Sequence, residues 1–139
     1  MTEINKIMTS APVSISPLAN VNKARMLMAD TKIRHLPVVD SSSGRVVGLL
    51  NQKALLSNAI KIIKQRGFEQ LEHVEKSLSV ENLMDSAPVV CNVKATVVEV
   101  AKSLREKRSG CICIEDQGKL VGVVTSSDFV KLAAEQLTG

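Results

Sequence analysis

The sequence predicts an α/β (α+β) fold of two pseudo-symmetric β-α-β-β-α repeats, with small sheets packed together and helices outside. Three observations carry this. The stretch KIMTSAPVSI, Lys6 to Ile15, returns as NLMDSAPVVC, Asn82 to Cys91, with Met8 over Met84 and Pro12 over Pro88 at a spacing of 76 residues. Each copy holds two nearly unbroken apolar runs joined by a polar turn, LPVVD and VVGLL in the first, CICIED and LVGVV in the second. Each copy also places a capped amphipathic stretch before those runs and another after them. Self-similarity of this kind marks a duplicated unit. A copy of roughly 60 residues encloses little core alone, so the two are expected to form one module: repeat 1 at 1–66, a helical connector at 67–79 and repeat 2 at 80–139.

The elements follow in order. A short extended piece comes after Pro12. Asn20 then caps a helix with Val21, Ala24, Leu27 and Met28 at helical spacing. The β-branched runs LPVVD and VVGLL, bounded by Ser and Gly, read as a hairpin, and their lack of polar alternation suggests strands covered on both faces. A helix starts near Asn51 and runs through SNAIKIIKQR to Gly67; FEQLEHVEKSLS is a charged amphipathic piece leading into the second copy. There Thr96 and Glu99 form a capping box ahead of Val97, Val100, Ala101 and Leu104. The hairpin then repeats, and the last helix starts near Thr125. Between Gly48 and Gly122 the spacing falls to 74, the lost positions lying in the turn, DSSSGR against DQGK. Loops tolerate such changes.

Composition narrows the function classes. Only 1% of residues are aromatic, Phe68 and Phe129, so the core is aliphatic and the rings on which single-strand binders stack bases are nearly absent. The net charge of +4 is spread along the chain; its densest cluster, Lys102, Arg105, Lys107 and Arg108, reads first as a solvated helix face and only second as a weak nucleic-acid surface. No apolar run reaches the length of a membrane helix, and the start MTEINKIMTS does not read as a signal peptide, so a cytoplasmic, membrane-free protein is expected. Three cysteines are too few for a disulfide scaffold. Cys111 and Cys113, in a Cys-x-Cys spacing without a second pair, read as buried small hydrophobes rather than metal ligands. There is no nucleophile elbow and no phosphate loop of the Walker type, so the expectation is no enzyme, no metal and no required cofactor.

The pattern Met-x-x-x-Pro-Val, then a helix, IRHLPVVD and VVGLL, repeated and closing in GVVTSSD, resembles the cystathionine-β-synthase-type repeat, or CBS domain, two of which in tandem make a Bateman module. The likeness covers nearly the whole chain. It implies a regulatory sensor that binds an adenosine-containing nucleotide as its ligand (AMP, ADP, ATP or an S-adenosylmethionine-like molecule) in a cleft between the repeats. It also implies a homodimer that signals to a protein partner in trans. The alternative is a ligand-free interaction module.

The resemblance further implies which residues hold the ligand. Gly122, Thr125 and Asp128 fall on the family's Gly-x-x-Thr-x-x-Asp, which puts Asp128 and Thr125 on the ribose. Ser126 and Ser127 add donors at the same helix start, where free N–H groups meet phosphate. Arg34 and His35 stand in the place of the family's basic pair and are expected on phosphate, though a histidine beside an apolar strand is as often structural. Gly110 and Cys111, with Ser10 and Ala11 opposite, are expected to line adenine. Thr125-x-x-Asp128 is equally a capping pattern that needs no ligand, and the two roles remain open together. In the first copy the matching positions are Asn51 and Ala54; Asn51 still caps a helix, but Ala54 cannot receive a ribose, so that half-site is expected to be dead or degraded.

Overall fold

In the computed structural model, which describes residues 3–138, the predicted order of elements forms. It runs β1 (Thr9–Ser10), α1 (Val21–Thr31), β2 (His35–Val39), β3 (Val46–Asn51), α2 (Gln52–Arg66), α3 (Leu71–Lys76), β4 (Val90–Asn92), α4 (Val97–Lys107), β5 (Cys111–Asp116), β6 (Lys119–Thr125) and α5 (Ser126–Thr138). This is a mixed α/β fold with small sheets, as the hairpin and cap signals imply. Asn20 Oδ1 accepts from Lys23 N at 2.8 Å to start α1, and the Thr96/Glu99 capping box starts α4 with both arms made. Gly67 ends α2, its N–H bonded to the Ile63 carbonyl.

Two compact units result, and they cut across the repeats. One gathers the chain up to Pro12, Ser42–Val46 and everything from Pro88 onward; the other gathers Val13–Ser41 and Val47–Ala87. In the first unit a four-stranded sheet has the order β1-β6-β5-β4. Thr9 lies opposite Val123 and Ser10 opposite Gly122, antiparallel; β5 and β6 form the hairpin; β4 runs parallel to β5. Ile4, Val100, Ile112, Ile114 and Val124 are its fully buried core. Cys111 to Ile114 are all buried, as strands covered on both faces require.

In the second unit β2 and β3 make a two-stranded sheet over Val21, Ala24, Leu36, Val38, Leu50 and Val80. One expectation is corrected here. The piece after Pro12 does not form a strand like β4; it reduces to a single parallel bridge, Ile15 to Val38. The strand of that segment is β1, which lies before the proline. It stops at Ser10 because Ala11 turns into the left-handed region, φ 49°, and Pro12 has no N–H to continue a ladder. The counterpart of the β1–β6 pairing is the antiparallel bridge of Leu49 to Asp85. Each repeat's leading segment thus packs in the unit that holds the other repeat's hairpin.

The connector holds a feature that its charged sequence hides. Glu75 on α3 is 0% exposed. Its carboxylate accepts from Arg25 Nε at 3.0 and 3.1 Å, from an Arg25 terminal nitrogen, and from Asn22 Nδ2 at 3.2 Å. Arg25 and Asn22 belong to α1, so the connector is fastened to that helix by a buried ion pair.

Candidate functional site

The start of α5 is where the chemistry gathers. β6 ends at Thr125, and the chain turns directly into the helix. Thr125 N–H donates to Asp128 Oδ2 at 2.8 Å, which is the acid arm of a capping box. Thr125 Oγ1 is hydrogen-bonded at 2.8 Å to Ser127 Oγ. The capping role is therefore real, and it engages one carboxylate oxygen. A carboxylate has further acceptor capacity, and Asp128 lines a cleft of about 250 Å³ together with Lys6, Ile7, Met8, Thr9, Lys131, Leu132 and Glu135. The matching start of α2 is served differently: Asn51 Oδ1 accepts from Ala54 N at 2.8 Å, and the first turn of α2 carries no acidic residue.

The other expected residues distribute as follows. Ser126 and Ser127 are exposed at the helix start. Cys111 lies opposite Thr125 in the β5–β6 register, with Gly110 just before it. The Cys111 side chain is buried, and its carbonyl accepts from Ser109 Oγ at 2.8 Å. Ser10 sits opposite Gly122, and Ala11 N–H donates to the Val121 carbonyl at 3.3 Å. That places them three and four residues back along β6 from Thr125, roughly 10–13 Å at the usual strand rise. The part of the leading segment that meets Asp128 is Lys6 to Thr9. Arg34, exposed, and His35, half-buried at the start of β2, belong to the other compact unit.

Burial, and then the neighbouring Arg34 guanidinium, hold the His35 pKa below its ordinary 6.5. His35 is accordingly neutral at pH 7, and the fixed positive charge of this pair is Arg34's. Because the folded value lies below the unfolded one, the unfolded chain takes up the proton first. The stability His35 contributes is full above about pH 6.5 and is lost as pH falls through 6.5 toward the folded value. A His35→Gln variant is expected to lose less stability than the wild type between pH 7 and pH 5 in denaturant titrations; equal losses would remove this account.

A hydrogen bond that the Cys113 thiol donates to Cys111, and then burial, push its pKa far up, so it stays protonated. Among the described residues no group of three or more His, Cys, Asp or Glu is placed to hold a metal ion, and no helix is long and apolar enough to cross a membrane. On sequence grounds Lys6 is one of three unranked candidates for a second phosphate, with Lys32 and Arg108, whereas Thr9, Lys131 and Glu135 are missed. Lys131 and Glu135 fall three and seven residues after Asp128, a helical spacing that could have shown them. Lys6 and Thr9 reach the site through the β1–β6 pairing, which joins opposite ends of the chain.

Two β-α-β-β-α repeats whose leading segments are exchanged define a tandem-repeat module. The family model described as the CBS domain matches residues 4–70 and 80–135, and the chain belongs to the CBS domain family. It is 28% identical over 141 residues to the uncharacterized protein MJ1404 of Methanocaldococcus jannaschii, covering 99% of this chain but 33% of that protein. It is 28% identical over 129 residues to YlbB of Bacillus subtilis, covering 93% of this chain and 80% of YlbB. Among solved structures it resembles CBSX2 in complex with AMP at 25% identity and a TM-score of 0.77, over 100% of both chains.

Proposed function

We infer that the chain is a regulatory module that binds an adenosine nucleotide at one asymmetric site and passes the binding event to a protein partner in trans. The observation that carries this is the contrast between the two helix starts. Asn51 shows that capping α2 needs no carboxylate, whereas Asp128 on α5 caps with one oxygen and still lines a cleft. A carboxylate accepts the paired hydroxyls of a ribose, and CBSX2, alike over its full length, is solved with AMP. In this reading Asp128 and Thr125 hold the ribose, Ser126 and Ser127 meet the first phosphate, and Gly110 and Cys111 offer backbone to the adenine.

The test is a melting shift. At 100 times its dissociation constant AMP stabilises the folded chain by about 2.7 kcal/mol, and Asp128→Ala removes most of the shift while leaving the free protein folded. Absence of any shift with AMP, ADP, ATP or S-adenosylmethionine would leave a ligand-free interaction module as the better reading.

A homodimer is part of the same proposal. Leu56, Ile60 and Ile63 are exposed on α2 at spacings of four and three, and Leu56 is 59% exposed. On α5, Val130 and Leu137 are 68% and 88% exposed. Stripes of this kind mark association surfaces. Light scattering should give twice the chain mass, reduced to one by Leu56→Asp with Ile60→Asp; a wild-type monomer at micromolar concentration rules the dimer out.

A further inference from the structure

Resting on the nucleotide reading above, we propose that Lys6 and Lys131 make the Asp128 cleft selective for a nucleotide with more than one phosphate. The two side chains come from opposite ends of the chain and line the same cleft as the carboxylate assigned to the ribose. Lys131 lies one turn beyond Asp128 and four residues after Ser127, on the same helix face. Side chains on a helix lean toward its N-terminus, so the Lys131 ammonium extends back over the turn that begins α5. Lys6 closes the cleft from the leading segment, at the end of a short 3-10 turn (Ile4–Lys6), and Thr9 adds a hydroxyl.

Among the described residues neither lysine is in an ion pair; the pairs within 4.0 Å are Arg25 with Glu75 and Lys76 with Glu72. The cleft's size also bears on the ligand. Pockets that enclose a whole drug-sized molecule run to roughly 300–1,000 Å³, and about 250 Å³ suits part of a nucleotide. A ribose with its phosphate chain meets the polar wall of Thr9, Asp128 and the two ammonium groups. Ile7, Met8 and Leu132 supply the apolar remainder. Glu135, two turns past Asp128, sets the outer limit, since its carboxylate repels a chain that extends that far. A first phosphate is served at the helix start without the lysines; a second and third have these two cations as their partners.

The experiment is a set of dissociation constants for AMP, ADP and ATP by calorimetry, without divalent cations, for the wild type, Asp128→Ala, the double variant Lys6→Gln/Lys131→Gln, and Glu135→Gln. The wild type is expected to bind ADP or ATP at least tenfold more tightly than AMP. The double variant should collapse that ratio to about one while AMP affinity stays within about twofold, and Glu135→Gln should strengthen ATP binding. Equal affinity for AMP and ATP in the wild type overturns the proposal, as does a ratio that survives in the double variant. Failure of the parent reading looks different: no nucleotide binds the wild type, or Asp128→Ala binds AMP unchanged. All three substituted side chains of the lysine and Glu135 variants are exposed, and unchanged melting of the free proteins confirms that they fold.

Discussion

Arg25→Ala is expected to destabilise the protein by about 3 kcal/mol, a fall in melting temperature on the order of 10 °C. The cause lies in the partner left behind. Glu75 is fully buried, and without the guanidinium its carboxylate keeps only the Asn22 amide as a donor. A buried charge stripped of its counter-ion costs about 3–5 kcal/mol; the lower figure applies because Asn22 remains and the Arg25 side chain is 37% exposed, so water can enter the space it vacates. Removing the other partner should cost much less. In Glu75→Met the buried charge is gone, the volume is nearly kept, and Arg25 can turn to solvent, so a change within about 1.5 kcal/mol is expected. The asymmetry is the measurement: chemical denaturation of the two single variants must rank Arg25→Ala well above Glu75→Met. If both cost the same, or Arg25→Ala costs under about 1 kcal/mol, the pair does not anchor α3 to α1.

That ion pair also shows where sequence reading stops. Periodicity and caps are local signals, so Asn20, Thr96 with Glu99, the apolar runs at Leu36–Val39 and Cys111–Ile114, and the stop at Gly67 were legible in advance. Glu75 sits in a segment of alternating charge that reads as solvated, and only the approach of α3 to Asn22 and Arg25, some fifty residues earlier, makes it core. The site divides in the same way. Asp128 and Thr125 stood out because the first repeat has Ala54 and Asn51 in their places. Thr9 did not, and Lys6 stood only as one of three unranked cations with Lys32 and Arg108, because the antiparallel pairing of Thr9 with Val123 is a contact between chain ends that no local pattern encodes. The capping reading and the binding reading of Asp128 could not be separated from spacing alone; the hydrogen bond to Thr125 N–H and the cleft beside it make them compatible.

Gly48→Ala should destabilise the fold by roughly 2–3 kcal/mol and Gly122→Ala by about 1–2, although both glycines occupy equivalent places in the two repeats. Neither has a positive φ, so backbone freedom is not why they are glycines. Space is the reason. A Cβ at Gly122 would lie 2.9 Å from Met8 Cγ and 3.1 Å from its Cε, with Sδ closer still; the three nearest obstacles all belong to one flexible side chain. At Gly48 the Cβ would meet Met84 Cγ at 2.8 Å and also the Asp85 carbonyl oxygen at 3.0 Å. That carbonyl is fixed, because it accepts the Leu49 N–H at 3.0 Å in the bridge that holds the second repeat's leading segment. Methionine can re-pack; a backbone carbonyl in a bridge cannot move without breaking it. Double-mutant cycles separate the two cases. Met8→Ala should relieve most of the strain of Gly122→Ala, giving a coupling above about 1 kcal/mol, whereas Met84→Ala should relieve Gly48→Ala only in part. Full relief at Gly48 would mean that the methionine alone, and not the bridged carbonyl, sets the spacing between β3 and the segment that docks on it.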